Sequence, residues 1–219
     1  MRKLAVYDFD GTLIHKESVP IILKTYKQMK LGFLTYVNVY LFLLRRLIAY
    51  KLPFTSYDKA TFRVHAMMKM ADLFRPLDDT TRTKLINAIY KALTPYINKT
   101  VEKAVKHDME NGFYTVLLSG SYTEVLSPFK ALGFDSIIGS SLIKQSHVLP
   151  YQDIEILIDQ KKVDIVKALK KQLNMDYVKA VADSYYDIKL LAYADEAIAV
   201  NPDEALKAYA ASHNWTIIE

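Results

Sequence analysis

Leu4-Ala5-Val6-Tyr7-Asp8-Phe9-Asp10-Gly11-Thr12-Leu13 is an apolar run that ends in two carboxylates and a glycine. The apolar residues 4–7 read as a strand, and Asp-Gly marks the turn that follows it. Side chains two apart in an extended chain point the same way. Asp8 and Asp10 can therefore address one small volume beyond the strand's C-terminal edge. Open parallel α/β sheets bind ligands at that edge. Gly11 lets the backbone turn sharply, and amides released from the sheet can then face an anion. Two adjacent acids repel each other, so the pair calls for a bound cation or for one raised pKa. The combination points to phosphate chemistry with a divalent metal, although an ordinary strand-to-turn boundary would account for Asp-Gly by itself.

Three later segments favour the chemical reading. The apolar run Tyr114-Thr115-Val116-Leu117-Leu118 leads into Ser119-Gly120-Ser121, where a hydroxyl and free amides could hold phosphate oxygens. Gln160-Lys161-Lys162-Val163 opens a helical pattern with apolar residues at Ile165, Val166, Leu169 and Leu173. The helix dipole disfavours a cation at that end, so a lysine there is best explained by an anion to neutralise. Lys161 and Lys162 both qualify. Val178-Lys179-Ala180-Val181-Ala182 leads into Asp183 and Asp187, four apart at a strand-to-helix turn and so on one side of a first helical turn. Each segment alone has a plain explanation as turn, surface or helix cap. Their order, each at an element boundary, makes coincidence a poor account.

With these segments the chain resembles the haloacid dehalogenase superfamily of phosphohydrolases, whose four motifs are matched by Asp8/Asp10, Ser119, Lys162 and Asp183/Asp187. It is most similar to the phosphoserine-phosphatase-like branch, which carries an all-helical cap directly after the first motif. The resemblance covers residues 1–14 and about 96–219, and reaches the insertion only by position and helical character. It implies Asp8 as nucleophile, Asp10 as acid and base, and Ser119, Gly120 and Lys162 as phosphate binders. It also implies Mg²⁺ held by Asp8, the Asp10 carbonyl and Asp183, with Asp187 in support. In similar phosphoserine phosphatases an acid at the position of Glu17 receives the substrate's amino group; here a solvated helix cap explains Glu17 equally well. Arg63 could supply the cation for the substrate's carboxylate. The second motif departs from the branch in reading Ser119-Gly120-Ser121-Tyr122 instead of Ser-Gly-Gly, and Ala182 stands where a glycine usually precedes Asp183.

Periodicity sets the organisation. Residues 19–50, 57–74 and 80–93 read as helices punctuated by Pro53, Pro76 and Pro95. Beyond Pro95 helices (101–111, 123–132, 163–173, 185–193, 203–212) alternate with strands (114–118, 136–138, 177–181, 197–200, 216–218). The expected fold is α/β, a Rossmann-like parallel sheet with helices on both faces, formed by residues 1–14 and 96–219, plus a helical cap at 15–95. Residues 15–95 hold 14 Lys and Arg against 5 Asp and Glu, leaving 15 against 19 elsewhere. A basic cap over an acidic core suits phosphorylated substrates, and solvated helix faces explain the lysines as well.

With no cysteine, a metal would have to be held by oxygen or imidazole. The early carboxylates argue against a signal peptide. A cytoplasmic monomer or homodimer acting on a small phosphorylated metabolite, with no nucleic acid or membrane partner, is the expectation. Residues 31–44 form an uncharged run of 14 between Lys30 and Arg45-Arg46. That is short of the ~20 residues needed to span a bilayer. A buried cap helix or dimer partner is the favoured reading, and a membrane-surface helix of a lipid-headgroup phosphatase the alternative. A catalytically silent phosphometabolite-binding protein of the same fold is a third. His15 and His147 could approach the site, but lone histidines are more often structural.

Overall fold

The computed structural model describes residues 1–51, 59–141 and 156–219; Pro53, the first residues of the helix expected at 57–74, and His147 lie outside them. Six parallel strands form one sheet: β1 (Lys3–Tyr7), β2 (Phe113–Tyr122), β3 (Ser136–Ser140), β4 (Tyr177–Ala182), β5 (Glu196–Val200) and β6 (Thr216–Ile218). Their order is β3-β2-β1-β4-β5-β6. Strand order therefore reverses at β1, which opens a crevice at its C-terminal end between β2 and β4.

Both faces of the sheet are covered, as all-parallel sheets require. Leu4 and Val6 point to one face with Val116, Leu118, Val178 and Ala180, against helices α7 (Gln160–Gln172), α8 (Ile188–Tyr193) and α9 (Glu204–Ser212). Ala5 and Tyr7 point to the other face with Leu117 and Val181, against α5 (Lys99–Glu110) and the turns at Phe129 and Phe134. Side chains on the pleated strands alternate, so each strand serves both cores. Short α6 (Thr123–Leu126) runs into a tighter turn, Ser127–Leu132, where Pro128 has no N–H to continue an α-helix.

Between β1 and α5 the chain forms α1 (Ser18–Gln28), α2 (Phe33–Lys51), α3 (Lys59–Met70) and α4 (Asp79–Leu93). The single helical stretch read over 19–50 divides at Lys30, whose φ is 55°, in the left-handed region. Ile22 and Tyr26 of α1 and Leu85, Ile89 and Leu93 of α4 share one buried cluster with Phe9, Leu13 and Phe129. Phe129 joins the two parts: its ring stands edge-on to Phe9 at 4.9 Å and to Tyr90 of α4 at 5.0 Å. The insertion is thus fastened to the sheet through α1 and α4.

Helix α2 departs from the reading of a buried cap helix, one of the two favoured for residues 31–44. Among the described residues of α2 only Val39 and Leu43 are buried, and Phe33 and Leu34 are 74% and 82% exposed. Its window Phe33–Tyr50 has a mean hydropathy of 1.2 over 18 residues with 11% buried, long and apolar enough by composition to cross a membrane.

Candidate active site

Four strand ends and helix starts bring the motif residues together. β1 delivers Asp8, whose amide donates to the Val181 carbonyl of β4 at 2.9 Å, keeping the two strand ends in step. The chain then turns tightly, with the Thr12 and Ile14 amides donating back to the Phe9 carbonyl at 3.3 and 2.9 Å. Gly11 is required here: its φ is 78°, and a Cβ would lie 2.0 Å from Asp183 Oδ2. The turn and the fourth-motif carboxylate therefore occupy one small space.

Asp8, Asp183 and Asp187 each offer a carboxylate oxygen, all within 4.8 Å of one another. Lys162 is buried among them, with Nζ 2.8 Å from Asp8 Oδ1 and 2.7 Å from Asp187 Oδ1. Of the two lysines the sequence left open, Lys162 faces the cluster and Lys161 is exposed. Two hydroxyls fix the acids: Thr12 Oγ1 donates to Asp183 at 3.2 Å, and Ser184 Oγ donates to Asp187 at 3.2 Å. Asp10 turns to the helix beyond, accepting from the Ser18 amide at 2.6 Å and the Ser18 hydroxyl at 3.1 Å. It thereby satisfies an N–H of the first turn of α1 that Glu17, at the N-cap position, leaves without a side-chain bond. Sequence reasoning passed over Thr12, Ser18 and Ser184 as supports. Their signal is a hydroxyl within a few residues of a motif acid, too common to carry weight alone.

The second motif lies within β2, not beyond it. The strand expected to end at Leu118 continues to Tyr122, but its pairing with β3 slips between Leu118 and Tyr122. Ser119, Gly120 and Ser121 fill that irregularity, which frees their backbone from regular pairing. Ser140 Oγ donates to the displaced Gly120 carbonyl at 2.7 Å. The Ser121 amide donates to Ser119 Oγ at 3.1 Å, leaving that hydroxyl's hydrogen for another acceptor. Ser121 Oγ is buried, and among the described residues it has no hydrogen-bond partner. An unmet buried hydroxyl on a cavity wall is a ready contact for a ligand oxygen.

Electrostatics follow from crowding acids out of water. Burial, then the charge of Glu17, pushes Asp10 up to about 7. Burial, then Asp8 and Asp187, pushes Asp183 up to about 8. Burial raises Asp8 against the opposing pull of Lys162. Lys162 itself is held above its ordinary value, because Asp187 and Asp8 outweigh the cost of its burial. Three carboxylates in this proximity, with Asp8 and Asp183 both raised by burial and Lys162 already engaged, suit a hard divalent cation.

A cavity of about 550 Å³ opens from this cluster, lined also by Glu17, Arg63 and Tyr186. Arg63 Nη2 and Glu17 Oε1 are 3.9 Å apart, and the guanidinium lies 4.9 Å from the Tyr186 ring centre. His15 is exposed, its ring edge-on to Tyr96 at 5.6 Å, and is not among the residues that line the cavity.

Residues 5–192 match the haloacid dehalogenase-like hydrolases, and the chain belongs to that family. Phosphoserine phosphatase SerB1 of Mycobacterium tuberculosis is 35% identical over 65 residues, which is 29% of this chain and 21% of that protein. The chain thus spans only about a fifth of that curated relative. A protein of unknown function from Bordetella pertussis Tohama I has the same fold, with TM-score 0.81 and 18% identity over 100% of this chain and 99% of that one. A substrate-bound phosphoserine phosphatase also shares it, with TM-score 0.65 and 21% identity over 100% and 93% of the two chains.

Proposed function

We propose that the chain is a Mg²⁺-dependent phosphomonoester hydrolase working through an aspartyl-phosphate. The observation that carries this reading is the buried cluster in which Lys162 bridges Asp8 and Asp187 beside Asp183, at the crevice where strand order reverses. Asp8, Asp183, Asp187 and the Asp10 carbonyl would hold the ion. When bound, Mg²⁺ would offset the negative charge of phosphate and carboxylates in a site poor in water.

The residues divide the work. Ser119, the amides around Gly120, and Lys162 hold the phosphoryl oxygens. Asp8 attacks phosphorus from the side opposite the ester oxygen; the P–O ester bond breaks as the Asp8 oxygen–phosphorus bond forms. Asp10, neutral in this step, gives its proton to the leaving alkoxide. Asp10 then takes a proton from water, which attacks the same phosphorus, releasing inorganic phosphate and restoring Asp8. A carboxyl pushed up to about 7 is populated in both forms near neutral pH, which is what these two roles demand.

A phosphoserine-like substrate is one form of this reading, with Glu17 taking the ammonium and Arg63 the carboxylate. Support for it is the position of both on the cavity wall. The test of the general reading is phosphate release from a panel of phosphomonoesters with Mg²⁺ and with EDTA. Release that EDTA abolishes and Mg²⁺ restores is expected; no release from any ester overturns it.

A further inference from the structure

Helix α2 carries eight of the eleven large apolar side chains that are exposed among the described residues. Single exposed apolar residues are ordinary, but this concentration on one helix is not. Phe33, Leu34, Leu41 and Ile48 face outward, whereas Tyr40, Leu44, Leu47 and Tyr50 are exposed and also line the cavity that begins at Asp8. The cavity therefore opens along α2.

Its wall changes character along its length. At one end stand Asp8, Asp10, Ser119, Lys162 and Asp187; away from them the lining is aliphatic and aromatic, including Leu23, Leu43, Phe62 and Met67. The other charged lining residues are already paired, Glu17 with Arg63 at 3.9 Å and Asp159 with Lys189 at 2.9 Å. Away from Glu17 and Arg63, a polar leaving group would lose water against a wall that offers it few partners, whereas an alkyl chain gains by leaving water. At about 550 Å³ the space also falls within the range of pockets that enclose drug-sized ligands, well beyond the needs of a three-carbon ester.

We infer that the substrate is an amphiphilic phosphomonoester, its phosphate at Asp8 and Lys162 and its apolar chain running between α1, α2 and α3 to emerge beside Tyr50. This rests on the phosphomonoester-hydrolase reading and names its leaving group. Lys30, just before α2, and Arg45 within it are exposed cations, as fits an anionic amphiphile.

The test is kcat/KM along a series of n-alkyl phosphates from ethyl to decyl, each kept below its aggregation concentration. A rise of roughly two- to four-fold per methylene, levelling once the chain fills the cavity, is expected. Leu44→Gln and Leu47→Gln change half-exposed positions, so the fold, checked by circular dichroism, should persist. Each should lower the decyl-to-ethyl ratio by about tenfold. A flat or falling series in an enzyme that turns over short polar esters overturns the inference and leaves the hydrolase reading standing. If no ester is cleaved, the hydrolase reading fails by itself, and calorimetry with alkyl phosphonates still reads the cavity. Tighter binding of decyl than of ethyl phosphonate supports the ligand class, and equal binding overturns it. Faster cleavage of phosphatidate in vesicles than of monomeric decyl phosphate assigns the chain to a bilayer lipid, against which Phe33 and Leu34 would lie. The reverse assigns a dissolved amphiphile.

Discussion

Asp8 and Asp10 leave the same strand two residues apart and enter different surroundings. Asp8 meets the ammonium of Lys162 at 2.8 Å, while Asp10 accepts from the amide and hydroxyl of Ser18. Asp8→Asn keeps the volume and can still accept from Lys162, but an amide cannot form an acyl phosphate. We expect a loss of at least about three decades in kcat with an unchanged circular dichroism spectrum; appreciable turnover by a pure, folded variant would refute the nucleophile assignment. Ser121 supports a different prediction. Its buried hydroxyl lacks a partner among the described residues, so Ser121→Ala should leave the melting temperature unchanged or higher, since removing an unmet polar group costs the fold nothing. If a substrate oxygen uses the hydroxyl, KM should rise by about three- to ten-fold with kcat little altered, as expected for a neutral hydrogen bond. A fall in melting temperature would instead mean that the hydroxyl has a structural role.

At the scale of elements, the chain announces its sheet clearly and its insertion poorly. Strands β1, β2 and β4 are short apolar runs buried on both faces, and each closes in a motif acid or hydroxyl, so type and ends are legible together. The exception is the end of β2. Ser119-Gly120-Ser121 has the look of a turn, yet β3 continues to pair beyond it at Tyr122, and only tertiary pairing distinguishes an irregular strand from its end. In α2 the cap-core half of the favoured reading departs from the structure for another cause. Apolar composition signals removal from water without saying by what, and among the described residues of α2 the neighbours cover only Val39 and Leu43 fully. The site's supports were hidden because Thr12, Ser18 and Ser184 reach acids on other elements or across a turn. The element whose geometry is least forgiving is the turn after β1. Gly11→Ala must place a Cβ at φ of 78° and against Asp183, so it should lower stability by about 1–3 kcal/mol for backbone strain alone. Activity should be lost with it, and normal melting and turnover in this variant would show that the turn can open without harm.

Across the whole molecule, folding gathers acids that water would otherwise keep apart. The metal-free protein holds Asp183 at about 8 and Asp10 at about 7, both above their unfolded value. A carboxyl whose folded pKa is raised favours the folded state while it is protonated. That contribution is complete below about pH 4, where the unfolded chain is also protonated, and is lost as pH rises through 7 to 8. With EDTA present, the melting temperature should therefore fall by several degrees between about pH 6 and pH 9. If Mg²⁺ binds the ionised cluster, as proposed, the stabilisation it adds must run the other way, small near pH 6 and large near pH 9. Asp183→Asn removes one of the titrating acids and one proposed ligand together. It should flatten the EDTA profile and shrink the Mg²⁺ shift at high pH. Thermal melts at several pH values, with EDTA and with Mg²⁺, read both effects without relying on turnover. A Mg²⁺ shift of equal size at pH 6 and pH 9 would mean that the ion binds elsewhere, and that Asp8, Asp183 and Asp187 serve to position Lys162 instead of a metal.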